Sequence, residues 1–175
     1  MKPLSSLAIV TFLVFIFTSC SQPPEKYFDV AVLNSNFVAG FADQRIAYEL
    51  NSPSVKLDEK TNATVPMQRK EIIDSKIDFV EKALEKIKGL SGNEDANAIL
   101  KNARLMYEFI LPIYKKDYQQ LAALYDNGAP KEKTDAELQS IHDKYYQTFH
   151  QLYSSLMANG QVYAAKYDIK LNWGE

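Results

Sequence analysis

The chain has 175 residues, a net charge of −2, 24% charged and 46% hydrophobic residues, and one cysteine. That length suits a single domain, and the balance is that of a folded chain, which excludes wholesale disorder. Lysine and glutamate are interspersed with no basic stripe, so nucleic acid has no electrostatic footprint here, and a lone cysteine excludes an intramolecular disulfide.

Residues 1–19 read as an export leader. Lys2 supplies a positive start, and Leu7 to Phe17 form an apolar run interrupted only by Thr11. The run is well short of the roughly twenty residues a helix needs to cross the bilayer core, so it reads as a leader and not as a permanent span. Thr18 and Ser19 are small, Cys20 follows, and Ser21-Gln22-Pro23-Pro24-Glu25 is polar. The run Phe17-Thr18-Ser19-Cys20 resembles the lipobox of bacterial lipoproteins, with Phe17 where that family usually has an aliphatic residue. The resemblance implies that the Cys20 thiol carries diacylglycerol, that the leader is cut before it, and that the new amine takes an acyl chain such as palmitate. One acyl chain holds a protein only marginally, at ~0.8 kcal/mol per buried CH₂, whereas several make the anchor effectively permanent. In that family an aspartate after the cysteine favours the inner membrane. Ser21 stands there instead, which implies the outer membrane, on its periplasmic face or at the cell surface. The lipidated linker of residues 20–26 spans at most about 20 Å, so the domain of residues 27–175 is expected close to the lipid.

That domain reads as all-α, with four helical segments and no strand-like alternation. The first runs from Tyr27 to Leu50 and is halted by Pro53. Residues 51–65 form one long connection, in which Asn62-Ala63-Thr64 matches a glycosylation acceptor only by chance if the chain is bacterial. The second segment runs from Pro66 to Gly89, with Ile73, Ile77, Val80, Leu84 and Ile87 at spacings of four and three. Ser91 and Glu94 make a capping-box pattern for the third, which extends to Asp126 and is closed by Gly128 and Pro130. Pro112 lies inside it and predicts a kink, because the Glu108 carbonyl loses its amide partner. Thr134 and Glu137 form a second capping box. Beyond them Leu138, Ile141, Tyr145, Phe149, Leu152, Leu156 and Tyr163 stay within about 60° of one line. This fourth segment is expected to fray near Gly160 or Tyr167, leaving a tail with Trp173. Short loops between amphipathic helices predict an antiparallel up-down-up-down four-helix bundle. Residues 51–65 and 127–133 would then lie at the end away from the membrane.

Two features carry candidate sites. Tyr107, Tyr114, Tyr118 and Tyr125 lie within about 20° of a common line and, with His142 about 40° from the core line of its helix, could line a groove for a sugar, peptide or aromatic ligand. Leu100, Ala103, Ile110, Leu111 and Leu121 share the same arc, so buried rings with hydroxyls at the rim are the structural alternative. The second feature is the first segment, apolar on both faces: Phe28, Ala31, Val32, Ala39, Ala42 and Ile46 on one, Val30, Leu33, Phe37, Phe41 and Tyr48 on the other. Such a helix needs cover on both sides. Either a loop or the tail folds over it, or Phe37, Phe41 and Tyr48 meet a protein partner or a second copy. Gly40, costly by ~1 kcal/mol inside a helix, fits a kink or a close crossing.

Metals, cofactors and catalysis find little support. His142 and His150 lie about 12 Å apart along a helix, too far to share a metal, and neither has the glutamate three residues before it that a di-iron bundle uses. No Cys-x-x-Cys-His occurs; a b-type haem on one histidine and Met67, Met106 or Met157 is the residual alternative. No G-x-S-x-G, phosphate-binding loop or H-E-x-x-H is present. The expected function is therefore that of a non-catalytic, membrane-anchored interaction or structural module of the bacterial envelope. The alternative is a small-ligand binding or sensing module on the tyrosine flank. The whole resembles uncharacterised small helical lipoproteins of bacterial envelopes in architecture, a resemblance that lends no functional residues.

Overall fold

The computed structural model describes residues 22–52, 55–90 and 93–171. The leader, Cys20, Ser21, the Pro53 stop, the Ser91 cap and the Trp173 tail lie outside the described residues. Within them the chain is predominantly helical, with one small two-stranded hairpin.

The first segment corrects the expectation of one helix over residues 27–50. It consists of α1 (Pro24–Ala31), a 3-10 stretch (Leu33–Val38) and α2 (Gln44–Asn51). The reason is local competition for the backbone. Ser35 Oγ donates to the Val32 carbonyl at 2.6 Å, and Asn34 Nδ2 to that of Val30 at 3.4 Å. The chain then turns through Ala42, whose φ of 54° no helix tolerates, and Asp43 Oδ1 accepts the Gln44 amide at 2.6 Å to open α2. The break also lets part of the two-faced apolar pattern be buried. Phe28, Ala31, Val32 and Ile46 from one face and Val30 and Phe41 from the other are all 3% exposed or less.

Residues 51–65 are likewise not a plain connection. Strand β1 (Val55–Leu57) pairs antiparallel with β2 (Thr64–Pro66), in the register Val55↔Pro66, Lys56↔Val65, Leu57↔Thr64. Three residues per strand are too few to leave a readable alternation. Pro66 ends this hairpin, and α3 (Arg69–Gly89) starts later, where Glu71 accepts the Gln68 amide at 2.8 Å.

Helix α4 (Asn97–Ile113) is opened by Asn93, whose Oδ1 accepts the Ala96 amide at 2.7 Å. It continues through Pro112 into a wide π turn (Tyr114–Tyr118) and then α5 (Gln119–Asp126). The disturbance expected at Pro112 is thus absorbed as a π turn just beyond it. Helix α6 (Lys131–Lys166) begins after Pro130 and not at a Thr134–Glu137 cap. Pro130, at φ −54° and ψ 145°, already holds the entry geometry, and Thr134 Oγ1 donates to the Lys131 carbonyl at 2.9 Å inside the helix. Gly160 is buried and does not interrupt α6.

Contacts define the helix directions. Asp126 accepts the Arg69 and Lys70 amides at 2.8 and 3.0 Å, Gln119 reaches Asp74 at 2.5 Å, and Lys115 pairs with Glu81 at 2.5 Å, so α3 runs antiparallel to α4–α5. Helix α6 is antiparallel to α4, from Asn102 at the Ser155 carbonyl (3.2 Å) to Asp95 at Lys166 (2.5 Å). The first segment lies along α6, with Pro24 at Tyr163, Asn36 at Tyr153 and Ala42 at His142. Phe41 is the aromatic hub of the core, its ring 5.0 Å from Phe149, 5.3 Å from Tyr114 and 5.6 Å from Tyr118. Among the described residues no helix is long and apolar enough to cross a membrane.

Candidate functional site

The turn at residues 39–43 brings two long-range polar contacts to one residue. Ala42 donates its amide to the Tyr118 hydroxyl at 3.0 Å, and its carbonyl lies 2.7 Å from His142 Nδ1. A carbonyl can only accept, so Nδ1 carries the proton and, in the neutral ring, Nε2 keeps its lone pair. The His142 ring stacks on Tyr146 at 4.7 Å, which fixes its plane. Tyr118 is fully buried and arrives here because the π turn carries both Tyr114 and Tyr118 into the core. Burial pushes both hydroxyls well above the usual phenol range; for Tyr118 the Ala42 amide opposes that rise, while Glu49, Asp117 and Asp43 add to it. Both phenols are neutral at physiological pH.

A cleft of about 270 Å³ opens beside this junction, walled by Ile46, Ala47 and Leu138 and edged by Asp43, Asp135, Gln139 and His142, with Tyr118 among its lining. Asp43 is occupied in capping α2, and Asp135 in an ion pair with Lys131. The lining offers a histidine nitrogen, an amide and carboxylate edges around a small apolar floor. Among the described residues no group of three His, Cys, Asp or Glu side chains is placed to hold a metal ion.

Of the tyrosine row, only Tyr118 meets His142 at this cleft. Tyr107 and Tyr114 are at most 1% exposed, and Tyr107 has no hydrogen-bond partner for its hydroxyl among the described residues. Tyr125 is half-buried and donates to Asn51 at 3.2 Å, away from the cleft. The three residues of the expected interaction face also separate. Phe41 is fully buried and belongs to the core, whereas Phe37 is 46% and Tyr48 72% exposed. The Phe37 ring is covered in part by Phe79, 4.2 Å away, and by the Lys76 ammonium 4.8 Å from its centroid. Val55 and Leu57 of β1 are also more than 60% exposed.

Lys76 escaped the sequence reading. It is 6% exposed and paired with Glu49 at 2.8 Å. Its signal was present: at 100° per residue it falls between Ala83 and Ile87 in the apolar arc of α3, where a lysine needs a partner. No protein-family model matches the chain, and no curated protein or solved structure gives a significant match to it.

Proposed function

We propose that this chain is a non-catalytic lipoprotein of the bacterial cell envelope, held by acyl chains on Cys20 and presenting its far end to a protein partner. The observation that carries the reading is the leader, in which an apolar run ends at Thr18-Ser19-Cys20 with the single cysteine of the chain. Its finer architecture is an up-down-up-down bundle of the broken first segment, α3, α4–α5 and α6, a reading favoured by the antiparallel contacts. The tether enters beside Tyr163, whose hydroxyl donates to the Pro24 carbonyl at 3.3 Å. The hairpin is tied instead to the start of α3 by the Lys56–Glu71 ion pair, at the Asp126 end. At 1.5 Å per residue along α6 these two ends lie about 50 Å apart. Tyr48, Val55 and Leu57 would therefore lie away from the lipid as exposed apolar residues.

Metabolic labelling with an alkynyl fatty acid tests the anchor: wild type takes the label and stays with membranes, and Cys20→Ala loses both. An unlabelled wild-type protein in the aqueous fraction overturns the reading. Photo-crosslinking residues placed at Tyr48 and Leu57 are expected to capture a partner protein in cells, and one placed at Lys101 none. Equal capture from all three positions removes the directed interface.

The Tyr118–His142 junction favours a second reading, a small-ligand module at the 270 Å³ cleft. His142→Ala would then abolish ligand-induced protection of the 42–47 amides from hydrogen exchange, without affecting membrane attachment.

A further inference from the structure

A second groove, of about 420 Å³, lies on the other side of Asp43, between the 39–45 turn and α6. Its floor is a row of rings from one face of α6, Tyr146, Phe149 and Tyr153, of which Phe149 and Tyr153 lie 5.7 Å apart. Arg45 stands at its edge. The chain has three arginines. Arg69 donates to the Leu50 carbonyl at 3.0 Å and Arg104 faces Glu108 at 3.8 Å, but Arg45 has no hydrogen bond or ion pair among the described residues. Its stem is nonetheless held in place. A Cβ on Gly40 would lie 2.6 Å from Arg45 Cβ, so the absence of a side chain at Gly40 is what lets Arg45 pack over the turn. Asp43, the carboxylate that also lines the groove, has one oxygen committed to the Gln44 amide. His150 adds a ring edge beside Tyr146, 5.7 Å between centroids.

We propose that this groove binds a small amphipathic organic anion, its apolar body against Tyr146, Phe149 and Tyr153 and its carboxylate or sulfonate head on the Arg45 guanidinium. The volume falls in the usual range for small-ligand sites, the floor is aromatic, and the planar guanidinium offers two parallel donors to a planar or tetrahedral anion. This site shares Asp43 and the Tyr146 ring with the surroundings of the cleft, but it takes its head group on Arg45, uses neither Tyr118 nor the His142 nitrogens, and does not depend on the lipid anchor.

Equilibrium dialysis of the full processed chain with naphthalene-2-sulfonate tests it, using naphthalene-2-sulfonamide as a neutral probe of the same body and a protein-free blank for any detergent. The sulfonate is expected to bind saturably at one site and more tightly than the sulfonamide. Arg45→Ala and Arg45→Gln weaken the sulfonate at least tenfold and leave the sulfonamide unchanged. Gly40→Ala, which displaces the Arg45 stem, weakens the sulfonate in the same direction, and Ser154→Trp, which fills the groove from its exposed rim, abolishes binding of both. Wild-type sulfonate affinity in both Arg45 variants, or no saturable binding to the wild type, overturns the proposal.

Discussion

Tyr118 and Tyr107 are both fully buried, yet their hydroxyls stand in opposite energetic positions. The Tyr118 hydroxyl satisfies the Ala42 amide. Tyr118→Phe strands that donor in the core and should cost about 1–3 kcal/mol, read as a lower urea midpoint at an unchanged denaturant slope. The Tyr107 hydroxyl bonds to nothing among the described residues, so Tyr107→Phe removes a group that was desolvated without return. That change should be neutral or stabilising by up to ~1 kcal/mol, and a loss as large as that of Tyr118→Phe would show that an acceptor exists. Ala42 itself sits at a φ of 54°. Ala42→Gly relieves a left-handed penalty of about 1–2 kcal/mol and gives back about 0.5–1 kcal/mol in unfolded-state freedom, for a net gain near ~0.5 kcal/mol in the same urea titration.

Among the elements, the hairpin turn gathers on one carboxylate, Asp58, and the start of α3 on two, Glu71 and Asp126. Asp58 Oδ1 accepts from the Thr61 hydroxyl and amide at 2.8 Å and from the Lys60 amide at 3.0 Å. Those bonds, the Thr61 hydroxyl first, hold its carboxyl below the usual aspartate range. Support for the turn is thus present above the unfolded aspartate pKa and is lost as pH falls through the lower, folded one. Asp58→Ala should bring the hairpin amides to nearly unprotected hydrogen exchange while α4 and α6 keep their protection; an equal loss in α6 would place the hairpin in the main cooperative unit. Asp126 caps α3 from another helix, taking both the Arg69 and Lys70 amides. Asp126→Ala should cost about 1 kcal/mol, as a lower urea midpoint. Nothing in the local sequence around Arg69 names Asp126 as its cap, because the two meet only when α5 folds back along α3.

For the whole molecule, a core rich in tyrosine makes high pH the vulnerable side. Burial raises the hydroxyls of Tyr107, Tyr114, Tyr118 and Tyr163, that of Tyr163 to about 12. The unfolded chain releases these protons near pH 10 while the folded chain retains them, so stability is fully present below pH 10 and falls above it, by about 1.4 kcal/mol per pH unit for each such tyrosine. Absorbance at 295 nm and circular dichroism should therefore show these phenols ionising together with loss of helix. Ionisation in a still-folded protein, at ordinary phenol pKa values, would contradict the burial.

The helices of residues 69–89, 97–126 and 131–166 were legible because spacings of three and four are properties of near neighbours, which the chain carries wherever it folds. The same spacing placed Tyr107, Tyr114 and Tyr118 on the buried arc. The division of the first segment was not legible in that way. Two apolar faces say that cover is needed, but whether the helix breaks or recruits cover depends on what α4 and α6 offer to Phe41. Likewise Tyr118 and His142 meet across 76 and 100 residues at Ala42, and among the described residues no acid is placed against Arg45. Local periodicity is settled residue by residue, whereas these contacts come into being only after loops close and the helices choose their faces.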